Sequence, residues 1–326
     1  MTAIATPDEL RGRLRERRET LRGVIAAVGP ADDLERLLRQ VDAALERVGT
    51  PRFGRCAVCD EPFERDELLE NPLRQYCLCA LSDRQRAALE HDLDLAWRIQ
   101  ASLLPRETLS WAGWSAHFRF LPAGPLSGDC CDIVEREPWV YFLVGDVSGK
   151  GVAAAYLSAH LSATVRASLE RATPVSELVE KLNRYLAANT PASHFVTLVC
   201  GRAAADGRIE LCNAGHCPPL VVRRGGVRPV DSSGLPLGIT SEGEHATQAL
   251  SLEPGESLVL YTDGVTEAAD SAGQMYGVDA FAALLRERND SSPIEIADAC
   301  LRDLRRFQDG AQRTDDVTLL VLKRGG

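Results

Sequence analysis

The sequence predicts an α+β fold with mainly antiparallel sheets, preceded by a helical segment that contains a small cysteine-rich stretch. From Trp111 to the C-terminus, short β-like runs follow one another across brief turns. Helical patterns in this region come in pairs, whereas a Rossmann-type fold would alternate single strands with single helices. Residues 1–50 instead carry apolar positions at heptad-like spacing, which indicates helices.

The composition excludes several classes of protein. The chain has 326 residues, 45% of them apolar, which is enough for two domains or for one large domain with an extension. Its formal net charge of −10 argues against nucleic-acid or anionic-membrane partners, and no apolar stretch reaches the length of a membrane span. The N-terminus lacks the apolar region of a secretory signal, and ten cysteines suit a reducing compartment. We therefore expect a cytoplasmic protein with no nucleic-acid or membrane partner.

Residues 1–50 are predicted to form a helical hairpin with a break at Gly29-Pro30. The apolar seam runs through Leu10, Leu14, Leu21, Val24 and Val28, and then through Leu34, Leu37, Val41, Ala44 and Val48. Acidic and basic residues balance in this stretch, as expected of a solvated surface. The hairpin is expected to pack on itself or on a second copy of the chain.

Residues 51–81 form a cysteine-rich segment with the spacing of a small zinc ribbon. Cys56-x-x-Cys59 lets two thiolates bind one zinc ion, and Cys77-x-Cys79 supplies a second, shorter pair. A segment this short, with few large apolar side chains, needs a metal to hold its shape. Four thiolates fill a tetrahedral zinc sphere, so the expected role is structural. The alternative is four unliganded thiols in a loop.

Residues 82–105 are predicted to form a helix that links the cysteine segment to the rest of the chain. Ser82 and Gln85 have the spacing of a capping box, and Leu104-Pro105 ends the helix. Its stripe consists of Leu89, Leu93, Ala96, Gln100 and Leu103. The helix either packs on the following domain or pairs with a second copy of the chain as a signalling helix, and the pattern favours neither.

Residues 106–326 are predicted to form a single mixed domain. Candidate strands are Trp114–Phe120, Trp139–Val144, Phe195–Gly201, Arg208–Cys212, Pro219–Val222, Ser257–Tyr261 and Val317–Lys323. Candidate helices run from Gly151 to about Glu170, from Thr173 with Pro174 in the first turn, and from a Ser292-Glu295 capping box to about Phe307.

Four aspartates lie at or near the ends of apolar runs, each beside glycine or a second aspartate. They are Asp129, Asp146, Asp263 and Asp315. A carboxylate at the tip of a buried strand is unfavourable unless a cation meets it. Several such tips in one place would form an oxygen-rich pocket suited to Mg²⁺ or Mn²⁺. Any one of these aspartates taken alone is more simply explained as a turn residue.

The motifs around these aspartates, taken in order, resemble those of one family. They are Arg98-Ile99-Gln100-x-x-Leu103-Leu104-Pro105, Ser127-Gly128-Asp129-x-x-Asp132, Gly145-Asp146-Val147-Ser148-Gly149-Lys150-Gly151, Asn213-Ala214-Gly215-His216, Gly234-Leu235-Pro236-Leu237-Gly238, Tyr261-Thr262-Asp263-Gly264-Val265-Thr266-Glu267 and Thr314-Asp315-Asp316-Val317-Thr318-Leu319. Across residues 95–323 the chain resembles the metal-dependent (PPM-type) protein serine/threonine phosphatases of the bacterial SpoIIE/RsbU subgroup. The resemblance implies an α-β-β-α sandwich of two mainly antiparallel sheets, with metal bound at one end of the sheets.

The same resemblance implies a site and a reaction. Asp146 would bridge two or more Mg²⁺ or Mn²⁺ ions, with the Val147 carbonyl as a neighbouring ligand. The implied catalytic and metal-binding residues are Asp129, Asp146, Asp263 and Asp315, with Val147 and Asp316 as further ligands and Asp132 as an additional candidate. The implied reaction is hydrolysis of phosphoserine or phosphothreonine on a protein by a metal-activated water. The implied substrate is a small anti-sigma-factor antagonist in a partner-switching pathway.

Two other functions stay open at this point. A non-catalytic signalling protein could bind a partner through a phosphatase-like domain, although retention of all four aspartates disfavours this. Residues 1–81 also resemble, in outline, the coiled-coil-plus-zinc adaptors of RNA polymerase of the DksA/TraR type. The cysteine segment lacks the concentrated basic patch that direct nucleic-acid binding needs.

Several residues near the motifs have open roles. Lys150 is a candidate for gripping the substrate phosphate, since no arginine is evident for that purpose. His216 is interpreted as closing a turn between strands rather than as a general acid. Cys130 and Cys131, which adjoin Asp129, are either redox-sensitive or, as is more frequent, inert buried thiols.

Overall fold

The computed structural model describes residues 6–28, 32–170, 172–190 and 194–325. The chain forms two compact units, Met1–His91 and Asp92–Gly326. The predicted break at Gly29-Pro30 lies outside the described residues. No helix in the described part of the chain has the length and hydropathy of a membrane-spanning segment.

The first unit is built from helices around two small apolar clusters. Its elements are α1 (Pro7–Val28), α2 (Asp32–Arg47), α3 (Arg65–Glu70) and a 3-10 helix at Leu78–Ala80, and α4 (Asp83–Leu103) begins at its end. Part of the predicted seam is buried between α1 and α2, where Leu14 shares a cluster with Val41 and Ala44. Val24 is 41% exposed, so the seam is not buried along its whole length.

The predicted capping box at the start of α4 is confirmed. The amide of Gln85 donates to Ser82 Oγ at 3.3 Å, and the amide of Ser82 donates to Gln85 Oε1 at 2.9 Å. These bonds satisfy donors that the first turn of a helix leaves without partners.

Two antiparallel sheets form the centre of the second unit. The strands are β1 (Thr108–Trp111), β2 (Trp114–Leu121), β3 (Asp129–Arg136), β4 (Trp139–Val147), β5 (Val196–Ala204), β6 (Arg208–Ala214), β7 (Leu220–Arg223), β8 (Gly226–Pro229), β9 (Gln248–Ser251), β10 (Ser257–Tyr261) and β11 (Val317–Arg324). One sheet has the order β1-β2-β11-β10-β7-β8, and the other has the order β3-β4-β5-β6-β9. Every pairing between these strands is antiparallel, as predicted.

Helices cover the outer face of each sheet. They are α5 (Val152–Ser168), α6 (Val175–Asn189), α7 (Asp263–Thr266), α8 (Gly277–Glu287) and α9 (Pro293–Gln308). The helices α5 and α6 share an apolar cluster with the five-stranded sheet, and α8 and α9 share another with the six-stranded sheet. A third cluster lies between the sheets and includes Phe142, Leu211 and Leu322. The predicted α-β-β-α sandwich is therefore confirmed.

Side-chain alternation along β4 shows how one strand serves two layers. Tyr141 and Leu143 belong to the cluster under the helices, whereas Phe142 and Val144 belong to the cluster between the sheets. Gly201 lies opposite Phe142 in the β4–β5 register and leaves room for its ring. Burying a side chain of this size contributes about 1.5–3 kcal/mol to stability.

Some elements differ from the predictions for identifiable reasons. The strand β3 has no predicted counterpart, because Asp129, Asp132 and Glu135 interrupt its apolar pattern. The other three strands without counterparts, β1, β8 and β9, have only four residues each, which gives little periodic signal. The capping box of Ser292 and Glu295 at the start of α9 is confirmed.

Candidate metal centre

Strand ends from both sheets bring the predicted aspartates together. Asp129 opens β3 and lies directly opposite Asp146 of β4. In the other sheet, Asp263 follows the end of β10, and Asp315 precedes the start of the neighbouring β11. Burial raises the pKa of Asp146 to about 7, and the negative charges of Asp263 and Asp315 contribute to this rise. The carboxylates are therefore close enough to repel one another.

Asp129 is buried and is held from the opposite sheet. Its Oδ2 accepts hydrogen bonds from Thr262 Oγ1 at 2.9 Å and from Thr318 Oγ1 at 2.5 Å. Burial raises the pKa of Asp129 well above its usual value, and the charge of Asp146 raises it further, while the two hydroxyls oppose the rise. One oxygen of Asp129 is thus already engaged within the protein.

The carboxylates Asp146 and Asp263 form a concentration of negative charge that fits a cation. Burial also raises the pKa of Asp263, followed by repulsion from Asp315 and Glu267. The pKa of each carboxyl group rises because burial removes hydration from the charged form and because other carboxylates lie nearby. A divalent cation would reverse both effects, since it stabilises the ionised carboxylates.

Gly128 lies close to both a carbonyl oxygen and a carboxylate oxygen of the predicted site. A Cβ atom at this position would lie 3.1 Å from the carbonyl oxygen of Val147 and 3.4 Å from Asp146 Oδ1. A larger residue at Gly128 would therefore crowd the Val147 carbonyl and come into contact with Asp146. The donor set, carboxylates with a backbone carbonyl, is the oxygen chemistry that Mg²⁺ and Mn²⁺ prefer. The residues thus fit the ions that the sequence predicts.

Lys150 places a positive charge on one of the predicted ligands. Its Nζ donates to Asp315 Oδ2 at 3.1 Å and to the carbonyl oxygen of Thr314 at 2.7 Å. The ammonium group acts here as a counter-ion for the acidic cluster. The contacts that the structure gives Lys150 are therefore with Asp315 and the Thr314 carbonyl, and its predicted role in binding the substrate phosphate stays a prediction.

Asp316 holds the loop that precedes β3. Its Oδ1 accepts from the amide of Ala123 at 2.7 Å, and its Oδ2 accepts from Ser127 Oγ at 2.8 Å and from the amide of Gly128 at 3.0 Å. Its backbone also lies against Gly264, where a Cβ atom would overlap the carbonyl oxygen of Asp316. Asp316 thus joins β11 to the loop that carries Gly128.

Asp132, the additional candidate, does not join the other aspartates. Its side chain is fully buried, and Arg166 of α5 donates to both of its oxygens, with distances of 2.7 and 2.8 Å. Residues three apart on a strand face opposite sides of the sheet. Asp129 points between the two sheets, and Asp132 therefore points towards the helix layer. The candidate role of Asp132 as a metal ligand is therefore wrong in this structure.

A cavity of about 220 Å³ opens beside the aspartates. Its lining consists of Asp146, Ser148, Phe195, Thr197, Gly215, His216, Cys217 and Asp263. His216 also closes a turn, as predicted: its amide donates to Asn213 Oδ1 at 2.8 Å, and Asn213 Nδ2 donates back to its carbonyl at 3.1 Å. The cavity gives a small anionic group access to the predicted ligands.

Cys130 and Cys131 match the interpretation as inert thiols. Both side chains are buried, and burial raises the pKa of each thiol well above its usual value. A thiol held in its protonated form is a poor nucleophile and is slow to oxidise.

Gln100 supports the site in a way that the sequence patterns do not reveal. It lies on α4 and is buried, with hydrogen bonds to the backbone of Ser127 in the loop before Asp129. The apolar stripe of this helix suggests only a packing role for the position. Two signals were available: Gln100 belongs to the Arg98–Pro105 motif, and it is an amide in a stripe whose other members are apolar.

The four cysteines of the first unit form a second cluster of metal-binding groups. Their sulfur atoms all lie within 4.8 Å of one another, with Cys56–Cys79 at 3.5 Å and Cys59–Cys77 at 3.6 Å. Backbone amides point at two of the sulfurs: that of Cys77 lies 3.3 Å from Cys56 Sγ, and that of Cys79 lies 3.3 Å from Cys77 Sγ. The cluster could bind a metal ion.

Comparison with known proteins finds phosphatases among the relatives of this chain. The chain is similar to the phosphoserine phosphatase RsbU of Bacillus subtilis, with 27% identity over 239 residues that cover 72% of this chain and 71% of RsbU. It is also similar to a solved structure of the RsbU and RsbW domains of Rv1364c from Mycobacterium tuberculosis, with 27% identity, a TM-score of 0.58 and coverage of 68% of this chain and 62% of that chain.

A second solved structure supports the fold alone. The SiaA-PP2C domain of Pseudomonas aeruginosa has a TM-score of 0.66 and 20% identity, over 73% of this chain and 98% of that chain.

The model of the family Stage II sporulation protein E (SpoIIE) matches residues 138–325, more than half of the 326-residue sequence. The matched stretch includes Asp146, Asp263 and Asp315. This chain therefore belongs to the SpoIIE family.

Proposed function

We propose that this protein is a metal-dependent phosphatase that hydrolyses phosphoserine or phosphothreonine on a partner protein. The observation that carries the proposal is the meeting of Asp146, Asp263 and Asp315 at strand ends beside a cavity, with mutual repulsion that a cation would relieve. Membership of the SpoIIE family and the likeness to the phosphoserine phosphatase RsbU support it.

The chain offers an oxygen ligand set for two or more Mg²⁺ or Mn²⁺ ions. We assign the ligands to Asp146, the Val147 carbonyl, Asp263 and Asp315, with Asp129 beside them. Divalent ions bound there supply the positive charge that activates water and neutralises the phosphoryl oxygens. Asp316, predicted as a further ligand, is kept as a proposed ligand, and its carboxylate also positions the loop before β3 by accepting three hydrogen bonds from it.

The protein's own groups explain why substrate binding depends on the ions. Asp146 and Asp263 line the cavity, so an entering phosphate would meet carboxylates and be repelled without a cation. Lys150 is held by Asp315 and offers only partial compensation. Thr262 and Thr318 fix the orientation of Asp129 from the other sheet.

The central experiment compares Asp146→Asn and Asp263→Asn with an exposed aspartate, Asp231→Asn, as the control. Turnover of a phosphoserine peptide is measured with Mn²⁺, and folding is checked by circular dichroism. We expect both site variants to fold and to lose about a hundredfold or more in turnover, because each loses a charged ligand. Wild-type rates in either variant would overturn the proposal. Binding of Mn²⁺ and phosphopeptide by wild type without release of phosphate would support the non-catalytic alternative.

We further propose that the substrate is a small phosphorylated antagonist of an anti-sigma factor. The likeness to RsbU supports this, as does the likeness to Rv1364c, whose solved structure joins an RsbU domain to an RsbW domain. Capture with the Asp263→Asn protein should enrich one small phosphorylated protein relative to the wild type. Enrichment of a different phosphoprotein class would move the proposal to that substrate.

The four clustered cysteines are proposed to hold one structural Zn²⁺. A tetrahedral ZnS₄ site with Zn–S bonds of about 2.3 Å has sulfur–sulfur edges of about 3.8 Å. The observed separations of 3.5 and 3.6 Å are close to that edge and far longer than a disulfide bond. Four protein ligands leave no open position, so the ion would stabilise residues 51–81 without catalysing a reaction.

Metal analysis tests the zinc proposal. We expect about one zinc per chain, lost in Cys56→Ser and kept in Cys300→Ala, which changes a buried cysteine of α9. Replacement by Co²⁺ should give the visible spectrum of a tetrahedral thiolate site. Protein purified under reducing conditions with no zinc, and unable to take up Co²⁺, would leave the cysteines as unliganded thiols.

A homodimer through the 82–105 helix is also proposed. Within the predicted stripe, Gln100 is buried, and Ala96 and Leu103 are half-buried. Another side of α4 exposes Leu95 by 50% and Ile99 by 56%, one turn apart. Light scattering should find a dimer in the wild type and a smaller species in the double variant Leu95→Glu and Ile99→Glu. Equal masses would remove the proposal.

We propose the organisation 1–50, 51–81, 82–105 and 106–326 for the hairpin, cysteine segment, linking helix and phosphatase domain. A cytoplasmic location is supported by the ten cysteines, none of which is paired in a disulfide bond in the described structure.

A further inference from the structure

His216 connects the two sheets beside the acidic cluster. Its side chain is buried, and its Nδ1 lies 2.8 Å from Thr197 Oγ1, on β5 of the five-stranded sheet. Its Nε2 lies 3.0 Å from the carbonyl oxygen of Tyr261, on β10 of the six-stranded sheet. One imidazole ring therefore spans the gap between the sheets.

The partners of the ring select a single tautomer. The Tyr261 carbonyl can only accept, so Nε2 carries the proton and donates it. Nδ1 is then an acceptor, and the Thr197 hydroxyl donates to it. Burial lowers the pKa of His216 to about 4, so the ring is neutral near pH 7. Because both nitrogens are engaged, the ring has no free group with which to protonate a leaving alkoxide.

Each end of this connection adjoins a proposed metal ligand. Thr197 lies directly opposite Asp146 in the β4–β5 register, and its Oγ1 is 3.4 Å from the carbonyl oxygen of Asp146. Tyr261 ends β10, after which the chain turns into α7 at Asp263. Asn213 fixes the backbone of His216 with two hydrogen bonds, so the ring is held by its own turn as well.

We propose that His216 is a positioning residue that sets the separation of Asp146 and Asp263 and thereby the affinity of the metal centre. This inference rests on the proposed function, because it assigns those two carboxylates to one centre. A chain of two hydrogen bonds from Thr197 to Tyr261 resists relative movement of the sheet ends. Loss of one bond leaves a buried polar atom without its partner and lets the ends shift.

The sharpest test changes Thr197, since the hydroxyl can be removed with little change of volume. Thr197→Val removes the donor to Nδ1, whereas Thr197→Ser keeps it. Direct Mn²⁺ binding, measured by electron paramagnetic resonance without substrate, should weaken about tenfold or more in Thr197→Val and less than about twofold in Thr197→Ser, as for other residues that orient metal ligands. Thr164→Val, whose hydroxyl bonds within α5, serves as the control for a general effect of valine.

A second pair of variants tests the ring itself. His216→Gln keeps one donor and one acceptor on the side chain, and His216→Leu keeps neither. We expect His216→Leu to bind Mn²⁺ about tenfold or more weakly and His216→Gln to recover part of the loss. Melting temperatures of all variants separate this effect from partial unfolding.

The outcomes distinguish failure of this inference from failure of the proposed function. Wild-type Mn²⁺ affinity in folded Thr197→Val and His216→Leu would overturn the positioning role, while turnover by the wild type would leave the phosphatase proposal intact. A wild-type protein that binds no Mn²⁺ and releases no phosphate would overturn the proposed function and this inference with it.

Discussion

Gln100 and Ser127 exchange two hydrogen bonds. Gln100 Nε2 donates to the carbonyl oxygen of Ser127 at 2.6 Å, and the amide of Ser127 donates to Gln100 Oε1 at 3.1 Å. The hydroxyl of Ser127 donates to Asp316, and it also accepts from the amide of Asp129 at 3.1 Å. The helix α4 is thus joined, through one amide side chain, to the loop that leads into the acidic cluster.

Replacing Gln100 should impair the metal centre without changing any ligand. Gln100→Ala leaves the buried amide and carbonyl of Ser127 without partners, at a cost of about 1–3 kcal/mol. We expect about a tenfold or greater loss of Mn²⁺-dependent turnover at limiting Mn²⁺, with partial recovery at high Mn²⁺. Arg98→Ala, an exposed change on the same helix, is the control. Equal Mn²⁺ dependence in the two variants would mean that the contact only stabilises the fold.

Removing Lys150 should tighten metal binding. Lys150 competes with a bound cation for Asp315, and its side chain is 65% exposed, so the effect is modest. We expect Lys150→Met to bind Mn²⁺ about two- to fivefold more tightly at low ionic strength, with the difference shrinking as salt is added. Lys181→Met, which breaks an exposed pair with Glu177 on α6, is the control. Weaker binding in Lys150→Met would instead favour a direct role for the ammonium group at the site.

The pair of Asp132 and Arg166 should matter for stability and not for metal affinity. Asp132 is fully buried, while the Arg166 side chain is 47% exposed, so Arg166→Met strands the carboxylate in the interior. We expect a loss of about 3 kcal/mol in urea unfolding, and Asp132→Asn in the same chain should recover part of it. Mn²⁺ affinity of the folded Asp132→Asn protein should equal that of the wild type. A tenfold loss of affinity would return Asp132 to the candidate ligands.

His216 should make the protein sensitive to mild acid. Its pKa is about 4 in the folded protein, against 6.5 for an unperturbed histidine. Between these values the unfolded chain binds a proton that the folded protein does not, so stability falls as pH decreases from 6.5 towards 4. The slope contributed is at most about 1.4 kcal/mol per pH unit.

Urea unfolding of the wild type and His216→Gln, each with chelator, measures this contribution as a difference. The carboxylates that titrate in the same range then cancel. His91→Gln, a change of an exposed histidine, is the control for a general effect of the substitution. Parallel curves for the wild type and His216→Gln would contradict the neutral, buried state of the ring.

Local patterns were sufficient for the class of fold and for the identity of the acidic residues. Asp146 and Asp263 could be recognised because apolar runs and adjacent glycines mark strand ends within a few residues of each. The capping boxes at Ser82 and Ser292 likewise depend only on residues three positions apart. Such features depend only on residues that are close together in the sequence, so they can be found without knowledge of the tertiary structure.

Strand β3 shows where those patterns fail. Its acidic residues are typical of a loop. Asp129 and Asp132 are nevertheless both buried, because each has hydrogen-bonding partners in the folded structure. Thr262 and Thr318 satisfy the first, and Arg166 satisfies the second. These partners lie far away along the chain, and only the packed sheets bring them into contact.

The sequence by itself determined which aspartates stand at or near the ends of apolar runs, and it thereby predicted a site for hard cations. The tertiary structure decided which contacts each residue makes. Asp132 pairs with Arg166, and Asp316 accepts hydrogen bonds from the loop at Ser127. Ser127 and Asp316 are 189 positions apart. Contacts over such separations depend on strand order and on how the sheets pack, and local patterns carry no information about either.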